Sequence, residues 1–380
     1  VPSLVALALP GGPAFVDELR RAWDAGDAVL PIDPRLPPPA AERLLESLRP
    51  IAVVDADGDR SHRPGGLPVE PGDALVVATS GTTGEPKGVV LTHHAVAASA
   101  RATSARLGVD AAADRWLACL PVAHIGGLAV ITRALVTGTP LTVLPRFDAS
   151  AVEEAARVGG ATLVALVPTA LVRVDAGLFR IVVVGGSSPP SRLSDNVVAT
   201  YGLTETGSGV VYDGWPLDGV EARVTGGEVF VRGPMLMRCY RDGHDPKTAD
   251  GWLPTGDAGT VDRHGRVSVR GRLSDLVVTG GENVWPQAVE SALVGHPLVG
   301  EVAVAGRPDP EWGERVVAWV VAADPSEPPD LPSLRAFAAD QLPRYAVPRE
   351  LVLVDRLPRS STEKVVRGAL GSSLPCSSAP

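Results

Sequence analysis

Ten residues, Thr79-Ser80-Gly81-Thr82-Thr83-Gly84-Glu85-Pro86-Lys87-Gly88, place four hydroxyls, three glycines and a lysine directly after the apolar run Ala74–Ala78. Glycines let a backbone turn its amides inward, and Thr79, Ser80, Thr82 and Thr83 add donors. Gly81 and Gly84 supply the turns, and Lys87 supplies charge, so the stretch suits the oxygens of a polyphosphate. A Gly/Thr hairpin turn would explain the glycines but not the hydroxyls and the lysine together. The run is not a Walker loop: with its first glycine on Gly81, Pro86 falls on the second glycine and Gly88 on the magnesium-binding Ser/Thr.

A second group lies in Tyr201-Gly-Leu-Thr204-Glu205-Thr206. A Tyr201 ring can stack on adenine, the Thr204 hydroxyl can reach an α-phosphate, and Glu205 is a hard oxygen ligand suited to Mg²⁺. In Thr255-Gly256-Asp257 a carboxylate after a turn can accept both hydroxyls of a ribose, although an isolated Asp in a turn is ordinary. His124, alone among apolar residues in Pro121-Val-Ala-His124-Ile-Gly126-Gly127-Leu128, reads on its own as a hydrogen-bonded core histidine.

In this order, from about Ala74 to Arg367, the motifs resemble the adenylate-forming superfamily of acyl-CoA synthetases, peptide-synthetase adenylation domains and luciferases. The resemblance implies ATP and Mg²⁺ for activation of a carboxylic acid, and CoA as the thiol that receives the acyl group. It implies that Gly185, Gly186 and Ser187, after the apolar run Ile181–Val184, lie against adenine and acyl group, with Ser188 and Ser208 as further acyl-pocket candidates. His124, Gly126 and Gly127 become pocket-lining, and Arg272 in Gly271-Arg272 is expected near ribose and phosphate. Gly280, Gly281, Glu282 and Asn283, before Val284-Trp-Pro286, resemble the loop beside the thiol channel. Lys364, in Pro358-Arg-Ser-Ser-Thr-Glu-Lys364-Val, corresponds to the lysine that meets substrate carboxylate and α-phosphate.

Two positions depart from the pattern. Ser274 stands where Asp or Lys is usual, with the acid at Asp275, so the hinge is assigned to the pair. Glu363 replaces the glycine usual before Lys364. Within the superfamily, Val211–Val220, Gly281–Val284 and the short stretch before the phosphate loop resemble the branch that activates 2-succinylbenzoate for menaquinone biosynthesis. A carrier-protein phosphopantetheine remains open as the alternative thiol. A non-enzymatic acyl-nucleotide sensor and a phosphate-transferring NTPase are the other readings.

Apolar runs of strand length alternate with helical segments: Leu163–Val167, Ile181–Val184 and Val197–Thr200 with a helix over Ala149–Val158. That alternation predicts α/β architecture with mostly parallel sheets. After about Gly219 the segments Gly227–Arg232 and Arg266–Arg270 alternate, a β-rich section. From Leu276 a small α+β unit is expected, with strands at Leu276–Thr279, Glu301–Ala305, Val316–Val321 and Leu351–Val354 and helices at Pro286–Leu293 and Ser333–Gln341. The expected organisation is an ATP- and acid-binding domain over 1–272, a rotating C-terminal domain over 275–370, and a disordered tail over 371–380.

Length bounds this reading, since 380 residues exceed one compact core. With a net charge of −9, nucleic acid and anionic membrane are not expected as partners. Cys119, Cys239 and Cys376 lack metal-ligand spacing and form no disulfide framework, which favours a cytoplasmic location.

Overall fold

The computed structural model describes residues 1–80, 86–187, 193–359 and 365–371. The chain divides into two compact units. The first holds Val1–Arg223, Phe230–Thr255 and Val261–Val267; the second holds Val224–Val229, Gly256–Thr260 and Ser268–Pro380. The division passes through the strands Glu221–Thr225, Glu228–Arg232, Leu253–Val261 and Val267–Arg272 rather than falling at one linker.

Two seven-stranded sheets build the first unit. One runs Cys239–Tyr240, Pro86–Thr92, Asp73–Ser80, Ala28–Pro31, Leu4–Leu7, Ala52–Val54, Arg60–His62. Its middle strands are parallel, and both edges are antiparallel. The other runs Trp215–Pro216, Ser208–Tyr212, Val197–Leu203, Ile181–Val184, Leu163–Leu166, Trp116–Ala118, Leu141–Val143. It is parallel from Val197–Leu203 onward and antiparallel at the Ser208–Tyr212 side. Leu4–Leu7, Ala28–Pro31 and most of Ile181–Val184 are buried, as near-continuous Val/Leu runs covered on both faces should be.

Local chemistry sets the helix ends. Thr92 starts helix His93–Arg106 by accepting the Ala95 amide at 3.1 Å, and Asp148 starts Ala149–Arg157 by accepting that of Ala151 at 2.9 Å. Helix Ile125–Thr137 ends on Gly138 in the left-handed region. Among the described residues no helix is long and apolar enough to cross a membrane.

In the second unit, Glu282–Val284, Val277–Thr279, Gly313–Ala322 and Val299–Asp309 pair in that order, and Glu350–Leu353 joins Gly313–Ala322 in parallel. Helices Pro286–Leu293 and Leu331–Ala339 contribute Val289, Leu293, Leu334 and Ala338 to its core. The second helix starts two residues before the expected Ser333, because Asp330 accepts the Ser333 amide at 2.8 Å and Pro332 fits the first turn. Arg359 bridges Val365, and the Val366 amide donates to Pro358 O at 2.9 Å. Arg359 pairs with Glu301 at 2.8 Å, and Arg367 pairs with Glu290 at 2.6 Å and Asp275 at 3.3 Å.

Candidate functional site

The polyphosphate candidate sits on a hairpin. Asp73–Ser80 and Pro86–Thr92 pair antiparallel, with Thr79 opposite Lys87 and Ser80 opposite Pro86. Thr79 donates to Lys87 O at 3.4 Å. Gly81, Thr82, Thr83 and Gly84 lie outside the described residues, as do Ser188 and Lys364. The strand Pro86–Thr92 is packed tightly: a Cβ on Gly88 would meet Leu48 and Val76 at 2.8 Å.

The Thr204–Glu205 motif occupies a 3-10 turn, Thr204–Thr206, at the end of Val197–Leu203. Tyr201 belongs to that strand rather than to the loop after it. Thr206, which sequence reasoning left without a role, organises the turn. Its hydroxyl accepts the Leu203 amide at 2.8 Å and lies 2.6 Å from Ser208 O, in a buried position. Gly202 must lack a side chain, because a Cβ there would stand 2.1 Å from Ser208 O. Ser208 itself takes φ 152°, in the region that favours glycine. Gly185 faces Thr200, whose Oγ1 would be 2.6 Å from a Cβ, and Gly186 and Ser187 are exposed beyond it.

Lys87 and Glu205 are brought together by a residue the sequence did not single out. The Tyr240 hydroxyl donates to Glu205 Oε1 at 2.9 Å, and Lys87 Nζ stands 5.2 Å from the Tyr240 ring centroid. Strand Cys239–Tyr240 pairs through its backbone with Pro86–Thr92, and arginines on both sides anchor it to neighbouring segments. Arg238 forks onto Asp73 at 2.9 Å, and Arg241 reaches the carbonyls of Leu67, Pro68 and Leu48 at 2.6, 2.7 and 3.2 Å. The Met237 amide donates to Glu205 O at 2.8 Å, tying the same strand to the turn. The only sequence signal was two arginines flanking a Cys-Tyr pair.

His124 caps helix Ile125–Thr137 and is half-buried; its carbonyl accepts the amides of Gly127 and Leu128 at 3.1 and 3.0 Å. Gly126 is exposed, whereas a Cβ on Gly127 would meet Leu120 O and Pro121 O at 2.5 Å. Packing alone therefore accounts for Gly127. Asp33, buried behind its pair with Arg35, was also missed. The Arg35 hydrogen bond holds the Asp33 carboxyl below its ordinary value against the burial that would raise it, with a smaller electrostatic contribution from His124.

Asp257, Arg272, Ser274, Asp275 and Gly280–Asn283 belong to the second unit. Asp257 is buried inside strand Leu253–Val261 and not after a turn; Gly256, at φ 70°, bends the strand just before it. Arg272 pairs with Asp257 at 3.0 Å. Ser274 and Asp275 lie in the 3-10 turn Leu273–Asp275. Gly280 and Gly281 form the tip of the hairpin Val277–Thr279/Glu282–Val284, with Glu282 and Asn283 exposed. The Gly280 amide donates to Trp312 O at 2.8 Å, and a Cβ on Gly280 would stand 2.7 Å from the Trp312 ring. Arg349 covers that ring at 3.9 Å. Trp312 is thus the floor of this tip, a role its sequence context did not reveal.

Among the described residues no group of three or more His, Cys, Asp or Glu gathers as a metal cage. A single half-buried carboxylate, Glu205, suits Mg²⁺, which typically binds through one or two carboxylates together with substrate phosphates.

Residues 55–241 match the AMP-binding enzyme family, and residues 288–364 match the AMP-binding enzyme C-terminal domain. A probable 2-succinylbenzoate–CoA ligase of Mycobacterium tuberculosis (strain ATCC 25618 / H37Rv) is 40% identical over 393 residues, covering 96% of this chain and 97% of its own. The o-succinylbenzoate CoA synthetase of Bacillus subtilis in complex with its acyl-adenylate intermediate is similar with a TM-score of 0.80 and 26% identity, over 98% of this chain and 88% of that one. The same enzyme in complex with ATP and magnesium ion gives 0.84 and 27%, over 97% and 89%.

Proposed function

Because the chain belongs to the AMP-binding enzyme family, we propose that it activates 2-succinylbenzoate with ATP as an acyl-adenylate and passes the acyl group to coenzyme A. The carrying observation is the convergence of Lys87 and Glu205 on Tyr240, at 5.2 and 2.9 Å. It sets a cation and a carboxylate on one tyrosine beside the paired strands Asp73–Ser80 and Pro86–Thr92, which supports the assignment of Glu205 to Mg²⁺ and Lys87 to phosphate.

In the first half-reaction a substrate carboxylate oxygen attacks the α-phosphorus, and the bond to pyrophosphate breaks. Two anions must approach, and their repulsion is the barrier. Lys87 offsets charge on the departing phosphates, Thr204 donates to the α-phosphate, and Tyr240 fixes the Glu205 carboxylate. Mg²⁺, when held by Glu205, neutralises phosphate oxygens as a Lewis acid. Lys364 is assigned to the α-phosphate and attacking carboxylate, Tyr201 to adenine, and Asp257 with Arg272 to the ribose. Gly185, Gly186, Ser187, Ser188, Ser208, His124, Gly126 and Gly127 are assigned to the acyl group.

In the second half-reaction the thiol sulfur attacks the acyl carbon and AMP leaves. Gly280–Asn283 line its approach, and Ser274–Asp275 absorb the rotation that exchanges Lys364 for this face. The test is ATP–pyrophosphate exchange across aromatic and aliphatic acids, followed by thioester formation with free CoA and with a phosphopantetheinyl carrier. Exchange with 2-succinylbenzoate and transfer to CoA are expected. Exchange confined to other acids refutes the substrate, and transfer only to the carrier refutes the acceptor.

A further inference from the structure

Lysine is scarce in this chain: of 35 basic residues 32 are arginine, and the three lysines are Lys87, Lys247 and Lys364. Two of them are assigned above to phosphate and carboxylate chemistry, and Lys247 has no part in it. Its surroundings require an ammonium. Nζ donates to Met237 O at 2.9 Å, to Arg238 O at 2.8 Å and to Asp245 Oδ1 at 2.7 Å, with 17% of the side chain exposed. An ammonium carries three N–H donors, so all are used. The three acceptors converge on a single nitrogen, which the flat, spread fork of a guanidinium does not match. An ordinary ion pair would explain the Asp245 contact but not the two carbonyls.

Those carbonyls open the segment that holds Glu205. The Met237 amide donates to Glu205 O at 2.8 Å, the Arg238 amide to Val90 O at 2.9 Å, and the Tyr240 hydroxyl to Glu205 Oε1 at 2.9 Å. The chain then turns back around Tyr240. Its amide donates to His244 O at 2.8 Å, and the His244 ring lies parallel to its own with centroids 6.1 Å apart. Lys247 fastens the end of this loop onto its start, and the residues between grip Glu205 at both carbonyl and carboxylate. All of them belong to the first unit.

We propose that Lys247 is a positioning residue for the adenylation step: it holds Tyr240, and through it the Glu205 carboxylate, in a place that an arginine cannot keep. The inference rests on the assignment of Glu205 to that step.

Three measurements on the full chain test it. In the parent labelled with [15N]lysine, a side-chain ammonium signal should persist at neutral pH, because hydrogen bonding slows its exchange with water, and Lys247→Arg should remove it. Pyrophosphate exchange, measured with whichever acid the parent uses, should fall in kcat/KM for MgATP by about threefold in Lys247→Arg and about tenfold in Lys247→Met. Thioester formation from supplied acyl-adenylate and CoA should hold in both. With Tyr240→Phe already present, Lys247→Met should cost less than roughly a further twofold. Lys247→Arg keeps the charge and the apolar stem, so it decides the matter even where Lys247→Met fails to fold. No protected ammonium in the parent, unchanged exchange in Lys247→Arg, equal loss in both half-reactions, or full additivity with Tyr240→Phe each overturns the proposal. A parent that exchanges with no acid refutes the proposed function itself, before any variant is compared.

Discussion

Tyr240→Phe isolates the contact that joins Lys87 to Glu205. The ring remains, so the lysine keeps its aromatic face 5.2 Å away; only the hydroxyl on Glu205 Oε1 at 2.9 Å is removed. A hydrogen bond to a charged acceptor contributes about 1.5–3 kcal/mol. Tyr240 and Glu205 are both half-buried, so water replaces part of the loss and the low end applies. A cost of about 1.4 kcal/mol corresponds to roughly tenfold in rate. Acid-dependent ATP–pyrophosphate exchange, titrated with MgATP, should fall about tenfold in kcat/KM on this reckoning. Thioester formation from supplied acyl-adenylate and CoA should not change. In a double-mutant cycle with Glu205→Gln, the double variant should be no worse than Glu205→Gln alone, because the hydroxyl has lost its charged partner. Exchange within twofold of the parent, or full additivity in the cycle, would show that Tyr240 does not act through Glu205.

Lys364→Ala should depress pyrophosphate exchange by about 10²-fold or more while leaving acyl-adenylate turnover with CoA intact; equal loss in both assays in a folded protein refutes the two-face scheme. Gly280→Ala combines a left-handed φ of 59° with a Cβ 2.7 Å from Trp312. The backbone penalty alone is about 1–2 kcal/mol, so CoA transfer should slow roughly tenfold with exchange unchanged. Gly202→Ala drives a methyl to 2.1 Å from Ser208 O; calorimetry should show a loss of about 3 kcal/mol, together with loss of exchange. Burial pushes the Asp114 carboxyl up, but hydrogen bonds from Arg180, the Asp110 amide and Thr162 outweigh it and hold it below its ordinary value. The stabilisation is therefore complete above about pH 4 and fades as pH falls through the lower folded value. Acid titration of unfolding should show the gap between the parent and Asp114→Asn closing below that pH.

The alternating architecture was legible because buried parallel strands are apolar throughout. Ile181–Val184 and helix Pro286–Leu293 fall where their patterns put them. Boundaries drifted where one side chain decides the end, as at Asp330, whose cap starts its helix at Leu331. Gly256 read as a turn because glycine signals turns, yet here it bends a continuous strand. The Gly/Thr-rich and Thr-Glu motifs are local, so their residue types can be read directly in the chain. Tyr240 and Trp312 are different: each acts on a partner distant in sequence, whereas Thr206 was missed although its partners Leu203 and Ser208 are local. Tyr240 lies 35 residues from Glu205, and nothing in the intervening composition links them.

Arg359 and Val365, on either side of the segment that contains Lys364 in the sequence, form a bridge. Val365, the residue that follows Lys364 in the sequence, is held by that bridge. With Arg359 anchored to Glu301 and Arg367 to Glu290, the bridge is fastened to the body that carries it. Under the proposed scheme, delivering the Lys364 charge to one half-reaction and withdrawing it for the next falls to the unit as a whole. The timing of the two steps is then, under that scheme, a property of the whole second unit, and a crosslink that stops the proposed rotation should stall catalysis with one defined intermediate.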